Sequence, residues 1–114
     1  MKSPAKKAIV IAIDGASMEI VLNEVNWGNM PNVEKLIQRG VFRPMLGVFP
    51  TLTPPGWTSL YTGSWHSCHE VIDFNIRALG KPLTETVWGI NTDLSKSEYL
   101  WNTAERIGKK PILV

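Results

Sequence analysis

The sequence has little of what marks extracellular, membrane-spanning or nucleic-acid-binding proteins. Its one cysteine, Cys68, cannot form a disulfide within the chain, which fits a reducing compartment. No apolar run approaches the roughly 20 residues of a membrane-spanning helix. The run at 8–13 is also too short for a signal peptide and stops at Asp14. Because the formal net charge of +2 is small, binding to nucleic acid or to a membrane is not indicated either. We therefore expect a cytoplasmic protein.

The composition is that of a globular chain. Apolar residues make up 44% and charged residues 19% of the 114 positions, values that suggest neither disorder nor a fibre. The length fits one domain or a piece of one, and no repeat or linker divides residues 1–114. Five tryptophans are many for this size, and we expect them to pack a core or the wall of a pocket.

The first half of the chain alternates predicted strands and helices. Residues 8–13 form a β-branched apolar run typical of a strand buried on both faces. Helices are predicted over 17–25, with Ser17 as cap, and over 33–39, followed by a strand over 41–49. Asp14 follows the first strand, where ligand sites of open α/β sheets lie. It is either a site residue or a turn aspartate that caps the next helix.

The segment 49–63 contains the most informative pattern. Thr53 stands directly before Pro54 and Pro55, and proline is favoured in the first turn of a helix. We therefore predict that Thr53 is the N-cap of a helix that closes at Gly63. A hydroxyl at that position faces the positive end of the helix dipole and backbone N–H groups, which together favour a phosphate-like anion. The alternative is that Thr53 is only a cap.

The second half is predicted to begin with a polar loop over 64–73. His66 and His69 are three positions apart, which suits metal ligands only if this segment is helical; surface or hydrogen-bonding histidines are the alternative. Cys68 is either a reactive thiol or an incidental cysteine. Short strands are expected within 74–93.

The last part of the sequence predicts a helix and a final strand. The spacing of Ser95 and Glu98 is that of a capping box, followed by a helix over 97–107. Residues 109–114 read as another central strand, and such a strand needs neighbours on both sides. We therefore expect a truncated domain whose unfinished sheet favours self-association.

Taken together, these motifs resemble the N-terminal part of the alkaline phosphatase superfamily. The strand ending in Asp14-Gly15, the turn Met30-Pro31-Asn32, and the later Thr62-Gly63 and His69 match in order, as does the run FPTLTPPGWT at 49–58. The branch is similar to type I phosphodiesterases and nucleotide pyrophosphatases. The resemblance implies a three-layer αβα fold with a largely parallel central sheet, incomplete in this chain.

The resemblance assigns roles to two residues. Asp14 matches the family's first metal-binding aspartate, and Thr53 matches the nucleophile that forms a phospho-enzyme and also binds metal. Two divalent ions, zinc or alternatively manganese, and a small phosphoester or nucleotide-like substrate are implied. A metal ion would lower the pKa of the threonine hydroxyl, which is otherwise a poor nucleophile.

Two departures from the family pattern change what is expected. Many nucleotide pyrophosphatases carry a phosphate-binding asparagine three positions after the nucleophile, where this chain has Gly56, so nucleotide substrates are in doubt. Glu70 replaces the usual glycine after His69, and we interpret His69 as a structural residue or as one that supports the residues of the site. The family's remaining metal ligands lie further along a longer chain, so we expect this segment alone to be inactive.

Other functions remain open at this level. A phosphomutase of the same superfamily shares the pattern, whereas a sulfatase, with its modified cysteine or serine nucleophile, is disfavoured by Thr53. A non-catalytic module that binds an anion at the helix N-terminus, or a scaffold that pairs through its sheet edge, is the alternative from a different class.

Overall fold

A computed structural model describes residues 7–114 of the chain. The chain divides into two units, one ending at Met45 and the other running from Leu46 to Val114. Within the described residues, five α-helices and one two-stranded antiparallel sheet give a small mixed α/β arrangement. None of the helices described has both the length and the apolar character needed to cross a membrane.

The first unit contains two helices close to their predicted positions. Helix α1 spans Met18–Asn26, and the Ser17 hydroxyl caps it by accepting a hydrogen bond from the Ile20 N–H at 3.3 Å. Helix α2 spans Pro31–Arg39 and ends at Gly40. Both predictions are confirmed, including the cap. No described residue of this unit is buried, so its helices are specified by local sequence rather than by a core.

The three predicted core strands do not form in the described residues. Residues 8–13, 41–49 and 109–114 have no regular secondary structure, and apolar side chains in each are largely exposed, such as Ile11 at 80% and Leu46 at 89%. A strand is stable only when a neighbour completes its hydrogen bonds and both faces are covered. The strands predicted at 8–13, 41–49 and 109–114 are therefore not formed in this structure, and the three-layer, largely parallel sheet stays a prediction.

The second unit begins with the proline-led helix. Helix α3 spans Thr53–Thr62 and ends at Gly63, whose φ of 64° is the left-handed conformation that glycine adopts most easily. The predicted position of Thr53 is wrong by one residue, because Leu52 is the N-cap and Thr53 is the first residue of the helix. Pro54 and Pro55 follow as its second and third residues and are buried.

The predicted polar loop contains a short helix, and short strands follow as expected. Helix α4 spans His66–His69, packs against α3, and ends at Glu70 in a left-handed conformation with φ of 63°. Strands β1, Asn75–Arg77, and β2, Thr86–Trp88, pair antiparallel with Ile76 opposite Val87.

The last helix starts later than the capping box predicted. A 3₁₀ turn over Thr92–Leu94 precedes helix α5, Leu100–Arg106, and Tyr99 is its N-cap. Glu98 does not cap the helix. Its carboxylate instead accepts hydrogen bonds from the Arg106 guanidinium at 3.0 Å and from the Thr103 hydroxyl at 2.9 Å. The Glu98 carboxylate thus bonds to side chains of the helix instead of capping a backbone N–H group.

The core of the second unit is small and lies where α3 meets α4. His69 is fully buried and Val71 is 1% exposed, and Pro55 and Thr58 of α3 are buried as well. This core fixes the helix that carries Thr53.

Candidate functional site

Thr53 lies at the start of a helix with few backbone donors. Pro54 and Pro55 have no N–H group, and the N–H of Gly56 donates to the Leu52 carbonyl at 3.0 Å. The N-terminus of α3 therefore offers an anion fewer N–H groups than an ordinary helix, although the positive end of its dipole remains. The expectation that several backbone N–H groups face an anion at this position is therefore corrected. Most of the negative charge of a bound anion would have to be compensated by other groups.

The proline pair has a second effect on Thr53. Each ring fixes φ near the helical value, and both prolines are buried. The half-buried Thr53 is consequently attached to a turn with little conformational freedom. Such rigidity favours a nucleophile, because the conformational entropy of ordering its side chain is already lost before the substrate binds.

Asp14 lies in the first unit and Thr53 in the second. Asp14 stands in an exposed turn with Gly15, whose φ is 68°. The turn is where the sequence placed it, although the strand before it does not form. That the two residues share a cation stays a prediction.

The described part of the chain contains no group of three or more His, Cys, Asp or Glu side chains that could hold a metal ion. The pair His66 and His69 lies on helix α4 but does not form a ligand pair. Both ring nitrogens of His69 are engaged, Nε2 with the Ser59 hydroxyl at 2.8 Å and Nδ1 with the Val71 N–H at 3.1 Å. His66 Nδ1 is buried and has no hydrogen-bond partner among the described residues.

The contacts of His69 fix its protonation state. Since the Val71 N–H can only donate, Nδ1 accepts and carries no proton. In the neutral ring Nε2 then carries the proton and donates it to Ser59 on α3. Burial, reinforced by the neighbouring His66, lowers the pKa of His69 below the ordinary 6.5. His69 is thus a neutral link between α3 and α4, as the structural interpretation of the sequence expected.

A chain of hydroxyl groups anchors the other end of α3. Thr62 donates to the Thr58 carbonyl at 2.7 Å, and its oxygen also lies 2.8 Å from the Ser64 hydroxyl. Ser64 donates to the Ser97 hydroxyl at 2.9 Å, which ties α3 to the segment before α5. Sequence analysis missed this network because it joins positions 33 residues apart. The serine and threonine clusters at 62–64 and 95–97 were its only signal.

Four aromatic rings form a column along α3 and α5. Trp57 stacks on Tyr61 with ring centroids 5.4 Å apart, Tyr61 contacts Trp101 at 5.4 Å, and Trp101 stacks on Tyr99 at 4.5 Å. These rings are half-buried, so the expectation that the tryptophans pack a core or a wall holds for two of the five. The other three are more than half exposed, namely Trp27, Trp65 and Trp88. Trp57 follows Thr53 by four positions and so lies on the same face of the helix.

The comparisons with known proteins agree with the motif analysis. Residues 8–112 match the family described as type I phosphodiesterase / nucleotide pyrophosphatase, a match that includes both units. No curated protein and no solved structure matches the chain significantly. Because the family match extends over nearly the whole sequence, the chain belongs to the type I phosphodiesterase / nucleotide pyrophosphatase family.

Proposed function

We propose that this chain is the nucleophile-bearing segment of a metal-dependent hydrolase that cleaves phosphodiester or pyrophosphate bonds through a covalent phospho-threonine at Thr53. The observation that carries the proposal is the placement of Thr53 as the first residue of α3, ahead of two buried prolines, in a family of phosphodiesterases. A hydroxyl held this rigidly at a helix N-terminus suits in-line attack on phosphorus.

The reaction proceeds in two displacements. The Thr53 oxygen attacks phosphorus, the hydroxyl proton is lost, and the bond to the leaving alcohol or phosphate breaks as that group departs with a proton. Water then attacks the phospho-threonine, which releases the phosphate product and restores the hydroxyl. The positive end of the α3 dipole stabilises negative charge on the phosphoryl oxygens in both steps.

Two divalent ions, zinc or manganese, supply the remaining charge compensation when bound, and they lower the pKa of the hydroxyl. The carboxylate of Asp14 and the oxygen of Thr53 are donors that such ions accept. Two donors are too few for tight binding. The proposal therefore requires further ligands from residues outside this sequence, within the three-layer fold of the superfamily, and it makes the isolated chain inactive.

The shortage of backbone donors at α3 bears on the alternatives. A non-catalytic anion-binding module would depend on N–H groups at the helix N-terminus, and the two prolines remove two of them. A phosphomutase of the same superfamily shares the nucleophile and differs in product, because the phosphoryl group returns to a second hydroxyl of the substrate instead of passing to water. Release of inorganic or monoester phosphate separates the two enzymes.

The nucleophile is tested by substitution in an enzyme that contains this segment. We expect Thr53→Ala to lower the rate of aryl phosphodiester hydrolysis in zinc or manganese by at least about 1,000-fold, the scale seen when a nucleophile is removed. Thr51→Ala, which removes an exposed hydroxyl two positions earlier, is the matched control and keeps the rate. Acid quenching during turnover followed by peptide mass spectrometry should find phosphate on Thr53. Retained turnover in Thr53→Ala removes Thr53 as nucleophile.

The isolated 114-residue chain gives a second test. Calorimetric titration with zinc should show at most weak binding, since only two donors are proposed. Tight one-to-one binding that Asp14→Ala abolishes would show that the chain holds a complete site. Sedimentation should show self-association through exposed apolar segments, such as Ile9–Ile13 and Ile112–Val114, and a clean monomer would contradict that part of the proposal.

A further inference from the structure

Helix α3 is joined to the rest of its unit by the contact between Ser59 and His69. Ser59, the partner of His69, follows Thr53 by six positions, which places it about 9 Å along the helix axis and about 120° around it. The link therefore acts on the orientation of the helix and not on the reacting atoms. A displacement of about 1 Å in a nucleophile costs up to about 100-fold in rate, so this orientation matters.

We propose that neutral His69 is a positioning residue that holds α3, and with it Thr53, in the reactive orientation, and that protonation of its ring releases the helix and slows the reaction. The inference rests on the function proposed for Thr53. It adds a pH-sensitive element to that site, built from Ser59, His69 and Val71.

The surroundings of His69 accommodate the neutral ring only. In the imidazolium form both nitrogens carry hydrogens, so Nδ1–H and the Val71 N–H, now 3.1 Å apart, would point donors at each other. Helix α3 contains no acidic or basic side chain and offers the Ser59 hydroxyl. The segment before α5 offers the backbone N–H of Lys96, which donates to the His69 carbonyl at 3.1 Å.

Within residues 7–114, no carboxylate makes a hydrogen bond or an ion pair with the buried ring. The titratable group that acts on His69 is His66, on the same helix, and it disfavours a second positive charge. The neighbours Glu70 and Asp73 are exposed and make no recorded contact with the ring in the described structure. Protonation thus requires the ring to lose its link to Val71 and to move towards water.

The sign of the pH effect follows from this preference. Burial holds the pKa of His69 below 6.5, so the unfolded chain takes up this proton first as the pH falls. The stabilisation from neutral His69 is complete above pH 6.5. It diminishes as the pH falls from 6.5 towards the lowered pKa, and the orientation of α3 is lost in the same window.

Nuclear magnetic resonance of the His69 ring tests the linkage itself. Long-range proton–nitrogen spectra of the 114-residue chain at pH 7.5 should show the neutral ring with its proton on Nε2, and titration should give a midpoint below 6.5. A proton on Nδ1, or a midpoint at or above 6.5, overturns the inference. This outcome does not depend on whether Thr53 is the nucleophile.

Kinetics in an enzyme that contains this segment tests the positioning role. His69→Gln keeps an N–H donor for Ser59, His69→Asn keeps an acceptor for the Val71 N–H, and Ser59→Ala removes the partner. We expect Ser59→Ala and His69→Asn to lower kcat about 10-fold to 100-fold with little change in KM. His69→Gln should be faster than His69→Asn, and it should lack the fall in kcat below pH 6.5 that we expect of the parent enzyme.

Ser67→Ala, on the exposed side of α4, is the matched control and should behave like the parent enzyme. One contrary outcome is that the Ser59 and His69 variants lower thermal stability while kcat, and its decrease at acid pH, stay as in the parent enzyme. In that case the positioning role is wrong, and the assignment of Thr53 as nucleophile is unaffected. If Thr53→Ala stays active, the proposed function has failed. The resonance result then decides separately whether the His69 linkage exists.

Discussion

The two units of the chain differ in how they hold the residue proposed for the metal centre. In the unit that ends at Met45, Asp14 sits in an exposed turn and no described residue is buried. In the unit from Leu46 onward, Thr53 begins a helix fixed by buried prolines and by His69. The helix that begins at Thr53 packs inside its own unit, whereas the strand predicted to precede Asp14 does not form.

The largest expected effect distinguishes a buried valine of the second unit from an exposed valine of the first unit. Val71 is 1% exposed and Val41 is 86% exposed, so the same substitution has different consequences. We expect Val71→Ala to lower the free energy of unfolding of the second unit by about 1.5–3 kcal/mol, because a buried side chain is truncated. Val41→Ala should leave it unchanged. Urea denaturation followed by tryptophan fluorescence measures both, and equal effects would contradict the comparison.

A smaller effect is expected at the cap of α1. The Ser17 hydroxyl accepts from the Ile20 N–H, and Ser17→Ala removes that acceptor. We expect a loss of about 1 kcal/mol in the stability of α1. Carbon chemical shifts of residues 18–26 should move towards coil values while those of α3 stay the same.

Ser17→Asp keeps an acceptor at the cap and should preserve α1. Because no residue from 7 to 45 is buried, the shift changes should be confined to the helices of the first unit. A simultaneous loss of structure in α3 would mean that the two units fold as one cooperative body.

The smallest expected effect concerns Gly56 in the first turn of α3. A Cβ built at this position meets no atom within 4 Å, so a side chain fits there. Gly56→Asn should stabilise α3 by about 0.3 kcal/mol, because glycine is the poorer helix former. If Thr53 is the nucleophile as proposed, the asparagine also supplies an amide donor three positions after it, so hydrolysis of nucleotide substrates should become faster. An unchanged ratio of nucleotide to aryl phosphodiester turnover would show that this position does not govern substrate choice.

Local sequence predicted the helices well because their signals are local. The Ser17 cap, the prolines of α3, and the glycines at 40 and 63 each act within a few residues of a helix end. The strands at 8–13, 41–49 and 109–114 were predicted from apolar patterns alone. Such a pattern shows that a segment suits a buried sheet, but not that a neighbour is present to pair with it.

The family was predictable for the same reason, and the match over residues 8–112 confirms it. The roles of Thr53 and Asp14, which rest on short motifs and on the family resemblance, stay predictions. The engagement of both His69 nitrogens and the serine network joining Ser64 to Ser97 were not predictable, because they arise from packing between distant positions. The capping-box error at Glu98 has a similar origin in its pairing with Arg106.

The proposal that Asp14 and Thr53 bind one cation is tested most directly by paramagnetic broadening with manganese. With manganese added to the 114-residue chain well below equimolar amounts, weak binding is enough to broaden nearby amide signals. The account predicts that the signals of Asp14, Gly15 and Thr53 broaden at the same concentration, and that Asp14→Asn abolishes the effect at all three. Broadening at Asp14 that leaves Thr53 sharp, or equal broadening at exposed carboxylates such as Asp93, would contradict it.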